Sequence, residues 1–395
     1  MKPRRRSPHS CCASLSPALE ALVSAPDARL PALAAAVKQL SSRYISTDRT
    51  NFPTLFSRPA LLEAYIHYYL PVNAIKLRHA VHELPAGWFA ARDRLRVLDI
   101  GCGPGSMLLG LLDHLDRADL PLPGAIELWG LDRDAAALSA ARQLISAYLG
   151  RSRRLRPAMV ALHCQVMHAD RADFPAGNFD LVISGNLLNE LPPALQPRLA
   201  RAIAAALKLD DAVALLVEPG TRPAFRQLLA MRSCLAAQGL HVWAPCPCDR
   251  ACPLASDPGT WCHETLRWQP PPLVSAIDRH LGFSKHKGVS FSYLMLRTQA
   301  ETLADQLAAE RNAVWRVVSY AIRSKGQQRL LLCNGEQRVT LQRLDRHATA
   351  ANADFDRAMR GDLVWCRPQL GRPVAVLGPE DRFRLLRSAQ TGGSV

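Results

Sequence analysis

Val97-Leu98-Asp99-Ile100-Gly101-Cys102-Gly103-Pro104-Gly105-Ser106 decides how this 395-residue chain is read. An apolar run ends in a turn with glycine at every second position, and a helical rhythm follows. Glycine allows a tight turn and close approach of a ligand, because no Cβ intervenes. The spacing differs from the dinucleotide fingerprint Gly-x-Gly-x-x-Gly, whose third glycine comes one residue later. Outward from this turn, over about 94–298, apolar runs alternate with helical segments. The runs are LRVLDI (95–100), AIELWGLD (125–132), ALHCQVMHAD (161–170), FDLVISG (179–185) and AVALLVEPG (212–220), then HVWAP and FSYLMLR. Strand–helix alternation predicts an α/β fold with a mostly parallel, doubly wound sheet.

With an acidic residue two before its first glycine, the turn resembles motif I of class I S-adenosylmethionine-dependent methyltransferases. The resemblance implies a Rossmann-like sheet whose turn packs against the amino-acid end of the cofactor. Asp132 ends the second run, where an acidic side chain accepts hydrogen bonds from ribose hydroxyls. Asp170 follows the third run, in place to meet the adenine amino group. The expected cofactor residues are Asp99, Gly101, Gly103, Gly105, Asp132 and Asp170. Amino-methylating nucleic-acid enzymes of this kind carry Asn/Asp-Pro-Pro-aromatic after the fourth strand. Here that position reads Ser184-Gly185-Asn186-Leu187-Leu188-Asn189-Glu190-Leu191, and no Pro-Cys nucleophile follows. Asn186, Asn189 and Glu190 are read as caps of the next helix in preference to pocket residues. Catalytic residues stay unassigned.

Composition narrows the class. Apolar residues make up 48 %, which fits a globular chain with a sizeable core. Lys and Arg number 49 against 34 Asp and Glu, a net charge of +15 that points to a polyanionic partner. No run approaches the roughly 18 apolar residues that cross a bilayer, so no membrane span is expected. The basic start MKPRRRSPHSCCASLSPALEALVSA lacks an apolar h-region, so no secretory signal is expected. The expected location is the cytoplasm, with the mitochondrial matrix as the alternative.

The chain divides into a flexible basic leader (1–14), a helical lobe (15–90), the α/β domain (91–300) and a basic β-rich module (311–390). In the lobe no strand alternation appears, and Pro71 is expected to split the last helix in two. The Pro- and Cys-rich stretch 244–272 is expected to be an insertion outside the sheet. The last module reads as antiparallel and barrel-like. Residues 311–395 hold fifteen Lys and Arg against seven Asp and Glu, about half the net charge in a fifth of the chain.

Eleven cysteines are many for a chain read as intracellular, where clustered thiols more often bind metal than form disulfides. Cys246, Cys248, Cys252 and Cys262 fall within seventeen residues. Thiolates gathered on a polar loop repel one another unless a cation compensates them. Soft ligands in this number suit a tetrahedral zinc ion or an iron–sulfur cluster. The spacing Cys246-x₅-Cys252-x₉-Cys262 has no second knuckle, and it leaves both open.

Taken together, VLDIGCGPGS, the VEPG turn (217–220), the APC-P-x-D-x-x-CPL…WCH segment and the following FSYLML resemble one family. This is the methyltransferase-like family of the small ribosomal subunit, found in bacteria and mitochondria. The resemblance implies an rRNA methyltransferase fold that binds the small subunit during assembly and carries a [4Fe-4S] cluster, zinc being the alternative. Cys246, Cys252 and Cys262 match three cluster ligands, and Cys333 matches the fourth. Cys248 stands where relatives usually have histidine, as a bystander or alternate ligand. The lobe departs from the family: relatives show Arg-x-Pro-Ala-Thr-Tyr where this chain has Tyr69-Leu70-Pro71-Val72-Asn73-Ala74. The partners implied are the small subunit and its rRNA. Arg316, Arg323, Lys325, Arg329 and Arg338, with Arg343 and Arg346, are the expected phosphate-facing residues. Two other functions stay open: a non-catalytic assembly factor with a degenerate fold, and a zinc-containing methyltransferase of another substrate.

Overall fold

The structure is a computed structural model that describes residues 13–26, 29–45, 55–117, 121–169, 171, 174–175, 178–208, 210–307, 310–372 and 374–389. The lobe begins with α1 (Pro17–Val23), whose cap Ser16 accepts a bond from Leu19 N through Oγ at 3.3 Å. Then come α2 (Leu30–Ile45), α3 (Pro59–Ala64) and α4 (Leu70–Val81). Pro71 does not break the last helix as expected. A wider π turn over Tyr65–Tyr69 joins α3 to α4, with Leu70 N donating to Tyr65 O five residues back. Proline has no N–H to give, and the widened turn just before it lets the helix run on. The last two residues of the stretch read as a flexible leader, Ala13–Ser14, form a short strand that pairs in parallel with Trp268–Gln269.

The α/β domain contains β1 (Arg94–Ile100), α5 (Ser106–Arg117), β2 (Ala125–Asp132), α6 (Ala135–Leu149), β3 (Val160–Val166) and β4 (Leu181–Gly185). It continues with α7 (Gln196–Ala206), β5 (Val213–Pro219), α8 (Arg222–Ala236), β6 (His241–Ala244), β7 (Glu264–Leu266), α9 (Pro272–Leu281) and β8 (Val289–Arg297). The strand order is β3-β2-β1-β4-β5-β8-β6. β1 to β5 are parallel, and β8 runs antiparallel to both its neighbours. This is the doubly wound arrangement of class I methyltransferases, as the sequence predicts. The Cys-rich stretch does leave the sheet after β6, but its end returns: β7 pairs antiparallel with β8 through Glu264 and Phe291.

The last module holds β9 (Val314–Val317), β10 (Ile322–Ser324), β11 (Gln327–Cys333), β12 (Arg338–Leu344), β13 (Leu363–Cys366), β14 (Val374–Leu377) and β15 (Phe383–Arg387). Its order is β14-β12-β11-β9-β13-β15, with β10 on β11. Among the described residues one pair, β12 with β14, is parallel and the two end strands do not pair, so the sheet is open where a barrel was expected. Trp315, Phe355 and Phe383 fill its core.

Two close approaches lock the parts together. A Cβ on Gly110 of α5 would lie 2.6 Å from the Ala74 carbonyl oxygen, so glycine is what lets α4 lie directly on α5. Glu83 of the lobe receives both terminal nitrogens of Arg316 from β9, at 2.9 and 3.1 Å. Tyr293 Oη of β8 also donates to Glu83, at 3.0 Å. One buried pair thus joins lobe, sheet and module.

Candidate functional site

The glycine turn is held by the adjacent strand. Gly101 N and Cys102 N both donate to Leu131 O, at 2.8 and 2.9 Å, and Gly103 N donates to Asp132 Oδ2 at 2.8 Å. Gly101, Gly103 and Gly105 take φ of +73°, +52° and +86°, where a side chain is strained. A Cβ on Gly105 would also stand 3.3 Å from the Ala141 Cβ of α6. Asp132 Oδ1 accepts Asp134 N at 2.9 Å. Each carboxylate oxygen has two lone-pair positions, so one remains on each for a ligand hydroxyl. Burial raises the Asp132 carboxyl above its ordinary range, against the pull of these two N–H groups. Asp99 is wholly buried, both its oxygens lack a partner, and burial followed by the Asp132 charge pushes it well up.

Above the turn opens a cavity of about 610 Å³ at the carboxyl ends of the strands. Of the residues expected at the cofactor, Gly101, Gly103 and Asp132 are on its wall, and Asp99 and Gly105 are not. Met167 and Phe174 stand on the β3 side. Asp170 lies outside the described residues. Asp134 caps α6, and its Oδ2 accepts Phe56 N at 3.0 Å, tying the lobe to this wall.

The other end of the cavity carries residues that the sequence reading missed. Tyr65, Tyr69, Asn73 and Lys76 come from the π turn and α4, and Lys285 comes from the loop before β8. Asn73 Nδ2 donates to Tyr65 Oη at 3.0 Å, and Lys76 Nζ donates to Asn73 Oδ1 at 3.0 Å. The signal was present in the lobe's departure from its family pattern at Tyr69 and Asn73. Asn186, Asn189 and Glu190, expected as caps, line this cavity instead. The reason is the sharp bend after β4, where Asn186 takes φ +57° and turns the chain across the strand ends. Glu218 supports that bend: its Oε1 accepts Leu188 N at 2.9 Å. Burial pushes the Glu218 carboxyl up to about 8, although the N–H bonds pull the other way.

A second cavity, of about 310 Å³, lies between the Cys-rich loop and the last module. Cys246, Cys252, Cys262 and Cys333 are all on its wall. Burial raises the Cys246, Cys262 and Cys333 thiols, and the neighbouring sulfurs raise them further. Cys248 is off that wall; its Sγ donates to Asn334 O at 3.0 Å. Gly335, at φ +92°, lets the module approach: a Cβ there would stand 2.8 Å from Cys248 Sγ. Among the described residues, no three His, Cys, Asp or Glu side chains form a group that could hold a metal ion. The loop is fixed by donors from the sheet side: Arg226 to the carbonyls of Leu254 and Thr260, and Ser292 Oγ to Cys262 O at 2.8 Å.

The expected phosphate-facing residues separate. Arg316 is 5 % exposed and spent on Glu83 and the carbonyls of Pro245 and Gly361, so it is not an RNA contact. Arg343 is buried against Asn352 and Asp356. Arg338 lines the thiol cavity. Arg323, Lys325 and Arg346 are exposed, and Arg329 is half-buried beside Gln342. Strand alternation turns Arg343 inward with Val339 and Leu341, whereas Arg316 lies on the opposite face of β9 from Trp315 and Val317 and is buried by Glu83 packing over it.

The family model described as mitochondrial small ribosomal subunit Rsm22 matches residues 96–359. No curated protein matches. Among solved structures, a Leishmania major S-adenosylmethionine-dependent methyltransferase is 14 % identical, with a TM-score of 0.37, over 70 % of this chain and 88 % of that one. A TehB-like methyltransferase from Corynebacterium glutamicum is 15 % identical (TM-score 0.33; 60 % and 98 % covered). Magnesium protoporphyrin IX methyltransferase from Synechocystis, with bound S-adenosylhomocysteine, is 13 % identical (TM-score 0.32; 66 % and 93 % covered). At these TM-scores the fold rests on the strand order, not on the neighbours.

Proposed function

The chain belongs to the Rsm22 family of the mitochondrial small ribosomal subunit, and on that premise we propose that it binds S-adenosylmethionine and acts on or binds small-subunit rRNA during ribosome assembly. The supporting observation is the cavity at the strand ends, with the glycine turn and Asp132 on one wall. Open α/β sheets take their ligands there. Asp132 keeps a lone pair on each oxygen for ribose hydroxyls. Asp99 sits behind the turn, off the cavity wall, with two unsatisfied oxygens. S-adenosylmethionine, when bound, supplies an electrophilic methyl group. The test is calorimetry with S-adenosylhomocysteine. Asp132→Ala is expected to weaken binding at least about tenfold, the range for losing charged hydrogen bonds. Mapping rRNA methylation in a deletion strain separates the enzyme from a non-catalytic factor. A mark restored by wild type but not by Asp99→Ala supports methyl transfer.

We also propose that Cys246, Cys252, Cys262 and Cys333 hold a [4Fe-4S] cluster of structural role. What supports this reading is that all four thiols share the wall of one cavity, together with the family resemblance of the Cys-rich segment. Such a cluster would join the loop to a module about seventy residues further along the chain. Iron, sulfide and zinc analysis of anaerobically purified protein decides between cluster and zinc. Arg323, Lys325, Arg329 and Arg346 remain to face phosphates. The family's description fits the mitochondrial matrix alternative for location.

A further inference from the structure

The donor cavity contains two lysines, and among the described residues neither has a carboxylate oxygen within 4.0 Å. Lys76 is 7 % exposed, and its Nζ bonds only to the neutral Asn73. Lys285 Nζ lies 5.3, 5.5 and 5.6 Å from the ring centroids of Tyr68, Tyr69 and Phe283. The two cations are close enough to oppose each other. Burial first, then Lys285, lowers the Lys76 ammonium to about 7, while Glu218 pulls it back up. Glu218 acts on Lys76 and Asp278 on the half-buried Lys285 only from beyond contact distance, and a cation withdrawn from water without a contacting counter-charge is costly. A ligand anion removes that cost, and the cavity is where such a ligand has access.

The position of the lysines narrows the ligand. Asp132 and Met167 come from the ends of β2 and β3, whereas Lys285 enters from the loop before β8, and Lys76 lies between Glu218 at the end of β5 and the chain Asn73–Tyr65–Ser106 that leads back to the glycine turn. β2 and β5 are three strands apart in the sheet order, about 14 Å at the usual strand spacing. A donor bound over the glycine turn after β1 leaves the β5–β8 end to the acceptor. Lysine binds phosphate as a compact point charge. We propose that Lys76 and Lys285 form an oxyanion subsite that holds a phosphodiester of the RNA acceptor beside the methyl donor. This rests on the reading of the chain as a methyltransferase-like RNA-binding protein.

The test uses the full chain, S-adenosylhomocysteine and a short single-stranded oligoribonucleotide. Lys76→Met and Lys285→Met are each expected to weaken the oligonucleotide about tenfold. Each also flattens the slope of log affinity against log salt by about 0.7, with S-adenosylhomocysteine affinity kept within about twofold. Lys285→Arg keeps the oligonucleotide affinity. The unfolding midpoint of Lys76→Met stays at or above wild type, because an uncompensated buried charge is gone. A lower midpoint with unchanged oligonucleotide affinity marks a structural lysine and overturns the subsite. Loss of S-adenosylhomocysteine affinity alone assigns the anion to the donor's carboxylate and also overturns it. Absence of oligonucleotide binding by wild type does the same. Lysine-dependent oligonucleotide binding without any S-adenosylhomocysteine binding removes the methyl-donor reading and leaves the subsite standing.

Discussion

In the donor cavity, Gly103 N–H meets Asp132 because β1 and β2 are paired in parallel register, so the contact is a product of neighbouring strands. In the thiol cavity, Cys333 arrives on β11 of a separate module, which Glu83 and Arg316 join to the lobe across 233 residues of sequence. The first site is preorganised by backbone hydrogen bonds. The second depends on side chains from distant segments being held in place. A site of the first kind survives loss of a docked module, and one of the second kind does not.

The largest expected effect tests that dependence. Arg316→Met leaves Glu83 buried without its partner, and breaking such a pair costs about 3–5 kcal/mol in denaturant unfolding. A loss below about 1 kcal/mol would falsify the clamp. Its pH signature has a definite sign. Burial alone raises the Glu83 carboxyl, but Arg316 and Arg387 hold it at about 2 against an ordinary 4.5. The stabilisation is therefore present above pH 4.5 and lost as pH falls toward 2. The Glu83→Gln/Arg316→Met pair should show a flatter acid limb.

Next come the thiols. Cys252→Ser should give protein without iron or visible colour, a lower unfolding midpoint and weakened co-sedimentation with small ribosomal subunits. Cys248→Ser should keep all three, because that thiol faces the Asn334 carbonyl. Equal iron loss in both variants would place Cys248 among the ligands. Unchanged co-sedimentation of Cys252→Ser would separate the cluster from ribosome binding.

A smaller effect sharpens the donor side. Gly110→Ala drives a methyl into the Ala74 carbonyl, and overpacking of this kind costs about 1–3 kcal/mol. S-adenosylhomocysteine affinity should fall with it, since α5 starts directly after the glycine turn and a shift of the helix moves that turn. The smallest is Glu218→Gln. With its pKa pushed up to about 8, folded Glu218 holds a proton that the unfolded chain releases above 4.5. Stability therefore falls as pH rises from 4.5 to 8, and the glutamine variant should lack that decline. Unfolding midpoints at pH 5 and pH 8 measure it.

The glycine turn, Asp132 and the strand rhythm were legible because each is encoded by adjacent residues. Pro71 misled because its helix-breaking effect is answered by a π turn visible only as a backbone bond from Leu70 to Tyr65. Asn186, Asn189 and Glu190 were read as caps because their sequence signature is the same for a cap and for a cavity wall. Arg316 looked like its basic neighbours, since nothing local records that Glu83 waits for it.

By itself, the sequence determined the doubly wound sheet, the glycine turn and the grouping of three cysteines, all of which follow from periodicity and short spacing. Tertiary structure alone decided which thiols share a cavity, which arginines are withdrawn from the surface and which lysines meet in one cavity. Those outcomes depend on burial and on contacts across more than seventy residues. The cost of burying a charge is set by what folds against it, which no local pattern specifies.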